Sequence, residues 1–190
     1  MNLEQEKYAR FALVREMMEA IALTEEFEPA RSLEVAAAIK KAGRLLLTGE
    51  GSSRIFPAKN AIRKALTRGL DLAVVTEGAR QAAGYDLSRF AVFCASNSGK
   101  TREVVLLAQK LAAAGHLNRF ALCAHHDTPL EQACVQTFVL NCGREEAVAA
   151  TKSVVEQALF YDSLHWHMGA PPQTGWQAEL AGSMRTALTM

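Results

Sequence analysis

The sequence lacks a charge bias, a long apolar run and a signal-like N-terminus. Its 190 residues carry 21 lysines and arginines against 20 acidic residues, and the net charge of +1 gives no broad attraction to nucleic acid or to an acidic membrane. No apolar run approaches the roughly 20 residues that span a bilayer. These absences predict a cytoplasmic protein without a nucleic-acid or membrane partner.

Paired metal-ligand motifs are also missing. None of the four cysteines belongs to a CxxC pair, and Cys94 and Cys123 stand in apolar runs where a thiol behaves as a small hydrophobe. His165 and His167 are two residues apart, about 200° around a helix, so they cannot clamp one metal ion. We therefore expect no metal and no cofactor, and we expect both histidines to be ordinary surface or interface residues.

Five short apolar runs alternate with helical patterns along the chain. The predicted strands cover residues 44–48, 71–76, 90–95, 119–124 and 135–141. This alternation indicates an α/β fold with a doubly wound, five-stranded parallel sheet and helices on both faces, a three-layer α/β/α sandwich. We expect one structural domain made of N-terminal helices (1–43), the sheet region (44–170) and a C-terminal helix (171–190).

Amphipathic helices are predicted at both ends. Residues 5–27 show helical periodicity, with Phe11, Val14, Met18 and Ile21 on one side. An N-terminal helix of this kind packs across the sheet or against a partner. The spare helices favour a homodimer or a higher homo-oligomer.

The carboxyl edge of the predicted sheet carries the residues with binding chemistry. Right-handed crossovers place every strand-to-helix loop at this edge, where ligands of such folds bind. Residues 96–101 form a hydroxyl-rich turn between a strand and a helix, the arrangement of a phosphate site. The alternative is an ordinary N-cap, since serine and asparagine are common before helices without any ligand.

A second glycine and serine turn follows the first strand. Gly49 and Gly51 resemble the start of a dinucleotide fingerprint, but Arg54 occupies the position of the third glycine. Nucleotide binding is therefore the weaker interpretation. Two phosphate-type turns at one edge favour an anion site.

Three motifs occur in order: GSS at residues 51–53, SNSGKT at residues 96–101 and EEAVAATK at residues 145–152. Together they resemble the sugar isomerase (SIS) domain family, and are most similar to the first SIS half of the isomerase part of glucosamine-6-phosphate synthase and related ketose/aldose isomerases. The resemblance extends over about residues 10–168 and implies phosphosugar binding. The residues it implies in binding are Gly51, Ser52, Ser53, Ser96, Asn97, Ser98, Gly99, Thr101 and Val148.

The sequence departs from the family pattern at Glu50, Ala150 and Lys100, and Lys100 stands where the family commonly has glutamate. Glu50 stands where the family has a small or apolar residue, and we expect its carboxylate to point away from a phosphate or to pair with Arg54. Ala150 replaces a serine and removes one hydroxyl. The second SIS half, which supplies catalytic groups in the synthase, has no counterpart in these residues, and we expect a second subunit to replace it.

Aldose–ketose isomerisation needs a base that moves a proton between adjacent carbons. Glu145 is the candidate base, because it follows the fifth strand at the carboxyl edge. Alternatively, Glu145 is not catalytic and its carboxylate lies at the start of a helix, where the helix dipole favours a negative charge. The resulting hypothesis is a phosphosugar-binding SIS protein that acts as a sugar-phosphate isomerase in a homodimer. The alternative is a non-catalytic module that senses a phosphosugar.

Overall fold

The computed structural model describes residues 2–190 of the chain. The strands are β1 Arg44–Gly49, β2 Ala73–Gly78, β3 Ala91–Ala95, β4 Arg119–Cys123 and β5 Gln136–Val139. The α-helices are α1 Glu6–Ala9, α2 Ala12–Glu25, α3 Leu33–Ala42, α4 Ser52–Thr67, α5 Ala79–Ala82, α6 Arg102–Ala113, α7 Pro129–Ala133, α8 Lys152–His167 and α9 Trp176–Thr189. A short 3-10 helix covers Pro29–Ser32.

All five strands join one parallel sheet in the order β2-β1-β3-β4-β5. Leu46 in β1 lies opposite Val75 on one side and Val92 on the other, so β1 is flanked by both of its neighbours. The predicted doubly wound, five-stranded α/β fold is confirmed. Four helix-containing crossovers are needed to keep five consecutive strands parallel, which explains the regular alternation in the sequence.

The sheet separates two apolar cores because successive side chains of a strand point to opposite faces. Leu45, Leu47 and Phe93 belong to the larger core, beneath α3, α4 and α8. Leu46 and Val92 belong to the second core, beneath α5, α6 and α7. Strands that are buried on both faces have continuous apolar sequences, and for this reason their positions could be predicted from the sequence.

The N-terminal helix differs from its prediction in two respects. It is broken into α1 and α2, since Phe11 is extended and 46% exposed. The buried side of α2 includes Glu16, Ala20, Ile21 and Thr24 rather than a purely apolar stripe. The periodicity of apolar residues did not predict this buried face correctly, because a glutamate occupies part of it.

Helix α8 lies in the larger core although it carries many polar side chains. Asp162 forms an ion pair with Lys64 and accepts a hydrogen bond from Asn60 Nδ2 at 3.2 Å. The hydroxyls of Ser163 and Ser32 lie 2.6 Å apart. Buried polar groups are tolerated when they are paired in this way.

His165 on α8 is not paired in this way, and its predicted surface location is wrong. The side chain is fully buried, and neither ring nitrogen has a hydrogen-bond partner within residues 2–190. Burial, reinforced by the charges of Arg68 and Lys64, lowers the pKa of His165 to about 4. The ring is therefore neutral in the folded protein at neutral pH.

Replacement of His165 by leucine should flatten the pH dependence of stability. In the unfolded chain the pKa of this histidine is near 6.5. Between about pH 6.5 and 4 the unfolded chain therefore binds a proton at His165, whereas the folded protein does not. Stability is therefore lost as the pH falls through this window, by about 2 kcal/mol between pH 7 and pH 5. Urea denaturation at both pH values measures the loss.

The matched control is His125→Gln, which removes an exposed histidine. This variant should keep the wild-type loss of stability, whereas His165→Leu should show about 2 kcal/mol less of it. Equal losses in wild type and His165→Leu would contradict the assigned role of the buried ring.

Candidate functional site

The loops after β1 and β3 meet at the point where the strand order reverses. β2 and β3 lie on opposite sides of β1, so the connections that follow β1 and β3 depart in opposite directions and open a crevice between them. The crevice is narrow at its base, because a Cβ on Gly49 would lie 2.8 Å from the carbonyl oxygen of Ala95. The two predicted phosphate-type turns therefore border one crevice.

The turn after β3 is held together by its own hydroxyls. The buried Ser96 Oγ lies 2.7 Å from Thr101 Oγ1, and the N–H of Gly99 donates to the carbonyl of Ser96 at 3.0 Å. The exposed Ser98 Oγ accepts the N–H of Lys100 at 3.2 Å. Helix α6 begins immediately afterwards, so its first N–H groups also face this turn.

Gly99 fits the turn against a neighbouring loop. Its φ is +63°, and a Cβ there would lie 2.5 Å from the side chain of Thr128. The N–H of Leu130 donates to the carbonyl of Gly99 at 3.2 Å, and the N–H of Ala124 donates to the carbonyl of Asn97 at 2.9 Å. Residues that follow β4 thus hold the turn after β3 in place through these contacts.

The turn after β1 is anchored by α8. Gly51 has a φ of +56°, and α4 starts at the next residue. Gln157 Nε2 on α8 donates to the carbonyl of Ser53 at 2.5 Å. Glu50 accepts the N–H of Ala79 at 3.0 Å, and within the described chain it forms no ion pair with Arg54.

Glu145 caps the buried start of α8. Its Oε1 accepts the N–H of Thr151 at 2.9 Å, the hydroxyl of Thr151 at 3.0 Å and the N–H of Ser153 at 3.1 Å. Its Oε2 accepts the hydroxyl of Ser153 at 2.5 Å and Asn97 Nδ2 at 2.8 Å. Burial raises the pKa of Glu145, but these hydrogen bonds outweigh burial and leave the pKa below its usual value.

The structure brings together most of the residues that the sequence singled out. The hydrogen bond from Asn97 to Glu145 joins the turn after β3 to the segment before α8, and Gln157 joins that helix to the turn after β1. Val148 lies in the segment before α8 and is fully exposed. Its side chain makes no buried contact that would account for its position.

Sequence reasoning missed Glu16 and Gln157, which both support these loops. Each is a polar residue on the buried side of a helix, with an exposed fraction of 4%. The one available signal was their place in helical patterns beside small or apolar residues. That signal says nothing about the partner, which in both cases belongs to a distant part of the chain.

Neither a metal cluster nor a membrane helix is found in the part of the chain that the structure describes. No three histidine, cysteine, aspartate or glutamate side chains of residues 2–190 are grouped so that they could hold a metal ion. None of the helices formed by these residues is long and apolar enough to cross a membrane.

The fold and the two turns define a doubly wound α/β protein with a crevice at its switch point, the place where ligands of such folds bind. Residues 38–165 match the SIS domain family, and the chain belongs to this family. No curated protein matches the chain.

Solved structures share the fold at low sequence identity. The C-terminal domain of glucosamine-fructose-6-phosphate aminotransferase from Francisella tularensis has a TM-score of 0.67 and 17% identity, over 96% of this chain and 55% of that chain. A glucosamine-6-phosphate deaminase from Thermotoga maritima has a TM-score of 0.67 and 22% identity, over 93% and 54%. A shorter protein from Escherichia coli has a TM-score of 0.67 and 17% identity, over 90% and 94%. The chain spans about half the length of the first solved structures that it matches.

Gly99→Ala should destabilise the protein more than Gly115→Ala. Both glycines have a left-handed φ, of +63° and +68°, so alanine costs about 1–2 kcal/mol at either position. The Cβ at Gly115 would meet nothing within 4 Å, whereas the Cβ at Gly99 would overlap Thr128. We expect a further cost of about 1–3 kcal/mol at Gly99 alone, measured as the difference in free energy of unfolding. Equal costs would show that the contact with Thr128 does not fix the turn.

Proposed function

We propose that the protein binds a sugar phosphate at the switch point between β1 and β3. The observation that carries the proposal is the convergence of two hydroxyl-rich helix starts in one crevice. The N–H groups of Asn97 and Ser98 donate no hydrogen bond within residues 2–190, so they are available to an anion. Neutral donors of this kind satisfy a phosphate without a net basic charge.

Each loop has a separate part in the proposed site. The phosphate lies against Ser96, Ser98 and Thr101 and the free N–H groups of Asn97 and Ser98, whereas the N–H of Gly99 already donates to the carbonyl of Ser96. The sugar extends toward Gly51, Ser52, Ser53 and the backbone around Val148. Membership of the SIS family and the phosphosugar enzymes named among the solved structures support this assignment.

Ser98→Ala should weaken the binding of fructose 6-phosphate while the fold stays intact. The hydroxyl is exposed, so its loss leaves no buried group unpaired in the free protein. A lost hydrogen bond to a charged group corresponds to about 1.5–3 kcal/mol, or roughly 10- to 100-fold in Kd. Calorimetric titration measures the change, with Ser88→Ala as a control at an exposed serine outside the site. Unchanged affinity in Ser98→Ala would refute the assigned phosphate loop.

A finer proposal is that the protein is an aldose–ketose isomerase acting as a homodimer. A second copy has a surface to occupy, since a mainly apolar groove of about 430 Å³ lies between α2 and α9. Leu13, Met17, Met184 and Leu188 line it, and Leu13 is 42% exposed. The second copy would stand in for the second SIS half of longer relatives.

One observation favours the non-catalytic alternative. The carboxylate of Glu145 receives hydrogen bonds from Thr151, Ser153 and Asn97, and a carboxylate has about four lone-pair sites. A general base needs a free lone pair within reach of the substrate proton. The pKa of Glu145, lowered by these bonds against the effect of burial, also makes it a weaker base.

Exchange of the transferred proton with solvent, at C2 of glucose 6-phosphate or at C1 of fructose 6-phosphate, separates the two functions. Wild-type protein is incubated with fructose 6-phosphate or glucose 6-phosphate and followed by NMR. An isomerase should exchange the proton, and Glu145→Gln should abolish the exchange while it keeps thermal stabilisation by the ligand. Stabilisation without exchange in the wild type indicates a sensor. Stabilisation by NAD or ATP but by no sugar phosphate would exclude both.

A further inference from the structure

Glu16 of helix α2 has a buried carboxylate that contacts the segment preceding α8. Glu16 is 4% exposed, and its Oε1 accepts the N–H of Glu146 at 2.5 Å and the N–H of Ala147 at 3.1 Å. Its Oε2 accepts the hydroxyl of Thr151 at 2.9 Å. All three donors belong to residues 146–151, so one side chain of the N-terminal helix holds the middle of this segment.

The two N–H contacts are the fixed part of this arrangement. The hydroxyl of Thr151 lies 2.9 Å from Glu16 and 3.0 Å from Glu145, but it carries a single proton and donates to one carboxylate at a time. By contrast, the N–H groups of Glu146 and Ala147 have Glu16 as their acceptor. Successive N–H groups that converge on one oxygen fix the orientation of both peptide planes.

Charge makes the contact stronger than an ordinary hydrogen bond. Burial raises the pKa of Glu16, but the hydrogen bonds from Glu146, Ala147 and Thr151 outweigh burial and hold the pKa below its usual value. The carboxylate is therefore ionised at neutral pH. Hydrogen bonds to an ionised acceptor are roughly twice as strong as neutral ones.

Glu19 of α2 pairs with Lys152, which belongs to the first turn of α8, and the second polar contact with residues 146–151 is weaker. Arg15 pairs with Glu146 at 3.0 Å, but the two side chains are 46% and 61% exposed. Exposed ion pairs contribute about 0–1 kcal/mol. Glu16 is therefore the contact through which α2 sets the backbone that leads into Val148.

We propose that Glu16 is a positioning residue for sugar recognition, which holds the backbone of residues 146–148 in place to contact the sugar. The inference rests on the proposed phosphosugar site. It assigns the N-terminal helix a part in ligand selection, in addition to its packing against α8. Glu16 itself does not contact the ligand, and within residues 2–190 it makes no hydrogen bond to the phosphate loop at residues 96–101.

This division predicts a selective effect of Glu16→Gln. Glutamine keeps the length of the side chain but loses the charge, and its amide presents donors where the carboxylate accepted them. We expect the Kd for fructose 6-phosphate to rise about tenfold, and the Kd for inorganic phosphate to change by less than about twofold. A loss of fold stability alone would weaken the binding of both ligands together. The ratio of the two dissociation constants is therefore the decisive measurement.

Glu25→Gln is the matched control on the same helix. Glu25 pairs with Arg185 at 3.4 Å and has no contact with residues 145–152. This variant should keep both affinities. The positioning role is overturned if Glu16→Gln binds fructose 6-phosphate as tightly as wild type does, or if it binds both ligands more weakly by the same factor. If wild type binds no sugar phosphate, the proposed function itself fails and the inference fails with it.

Amide hydrogen exchange provides a second measurement that needs no ligand. The N–H groups of Glu146 and Ala147 should be protected in wild type, unchanged in Glu25→Gln and faster in Glu16→Gln. If Glu16→Gln does not fold, the wild-type protein still decides the matter. Rapid exchange of both amides in wild type would overturn the proposed contact.

Discussion

The buried start of helix α8 is the constraint on which the candidate site depends. The first N–H groups of a helix need acceptors from outside it, and Lys152 and Ser153 are buried. Glu145 supplies the acceptor, so the chain before α8 must turn back onto the first turn of the helix. Because the same carboxylate also accepts the amide of Asn97, capping of α8 sets the distance between this segment and the turn after β3.

Hydrogen-bond donors at the edge of the sheet are divided between protein carboxylates and the proposed ligand. Glu16 and Glu145 accept the N–H groups of Glu146, Ala147, Thr151 and Ser153. The N–H groups of Asn97 and Ser98 have no such acceptor in the described part of the chain. These free N–H groups are donors of the proposed anion site, which therefore needs no excess of basic residues in a chain with a net charge of +1.

The sheet and its two turns could be predicted from the sequence because their causes are local. Apolar runs, glycines and hydroxyl residues at strand ends report burial and turn geometry within a few residues of themselves. The burial of Glu16 and His165 could not be predicted, because each depends on a segment more than 80 residues away: Glu16 on residues 146–151, and His165 on the packing of α8 against α4. The same holds for the capping bonds of Glu145, whose link to Asn97 spans 48 positions.

Asn97 connects the two roles that Glu145 could have. The other hydrogen bonds to this carboxylate come from Thr151 and Ser153, and their loss would leave buried donors at the start of α8 unpaired, at about 1–3 kcal/mol each. The amide of Asn97 is different, because it belongs to the turn where the phosphate is proposed to bind, and its own Oδ1 has no partner within residues 2–190. A ligand that takes over this amide frees one lone pair of Glu145 and leaves the helix cap intact. If Glu145 is the base that the isomerase proposal needs, the substrate therefore has to displace Asn97 from this carboxylate.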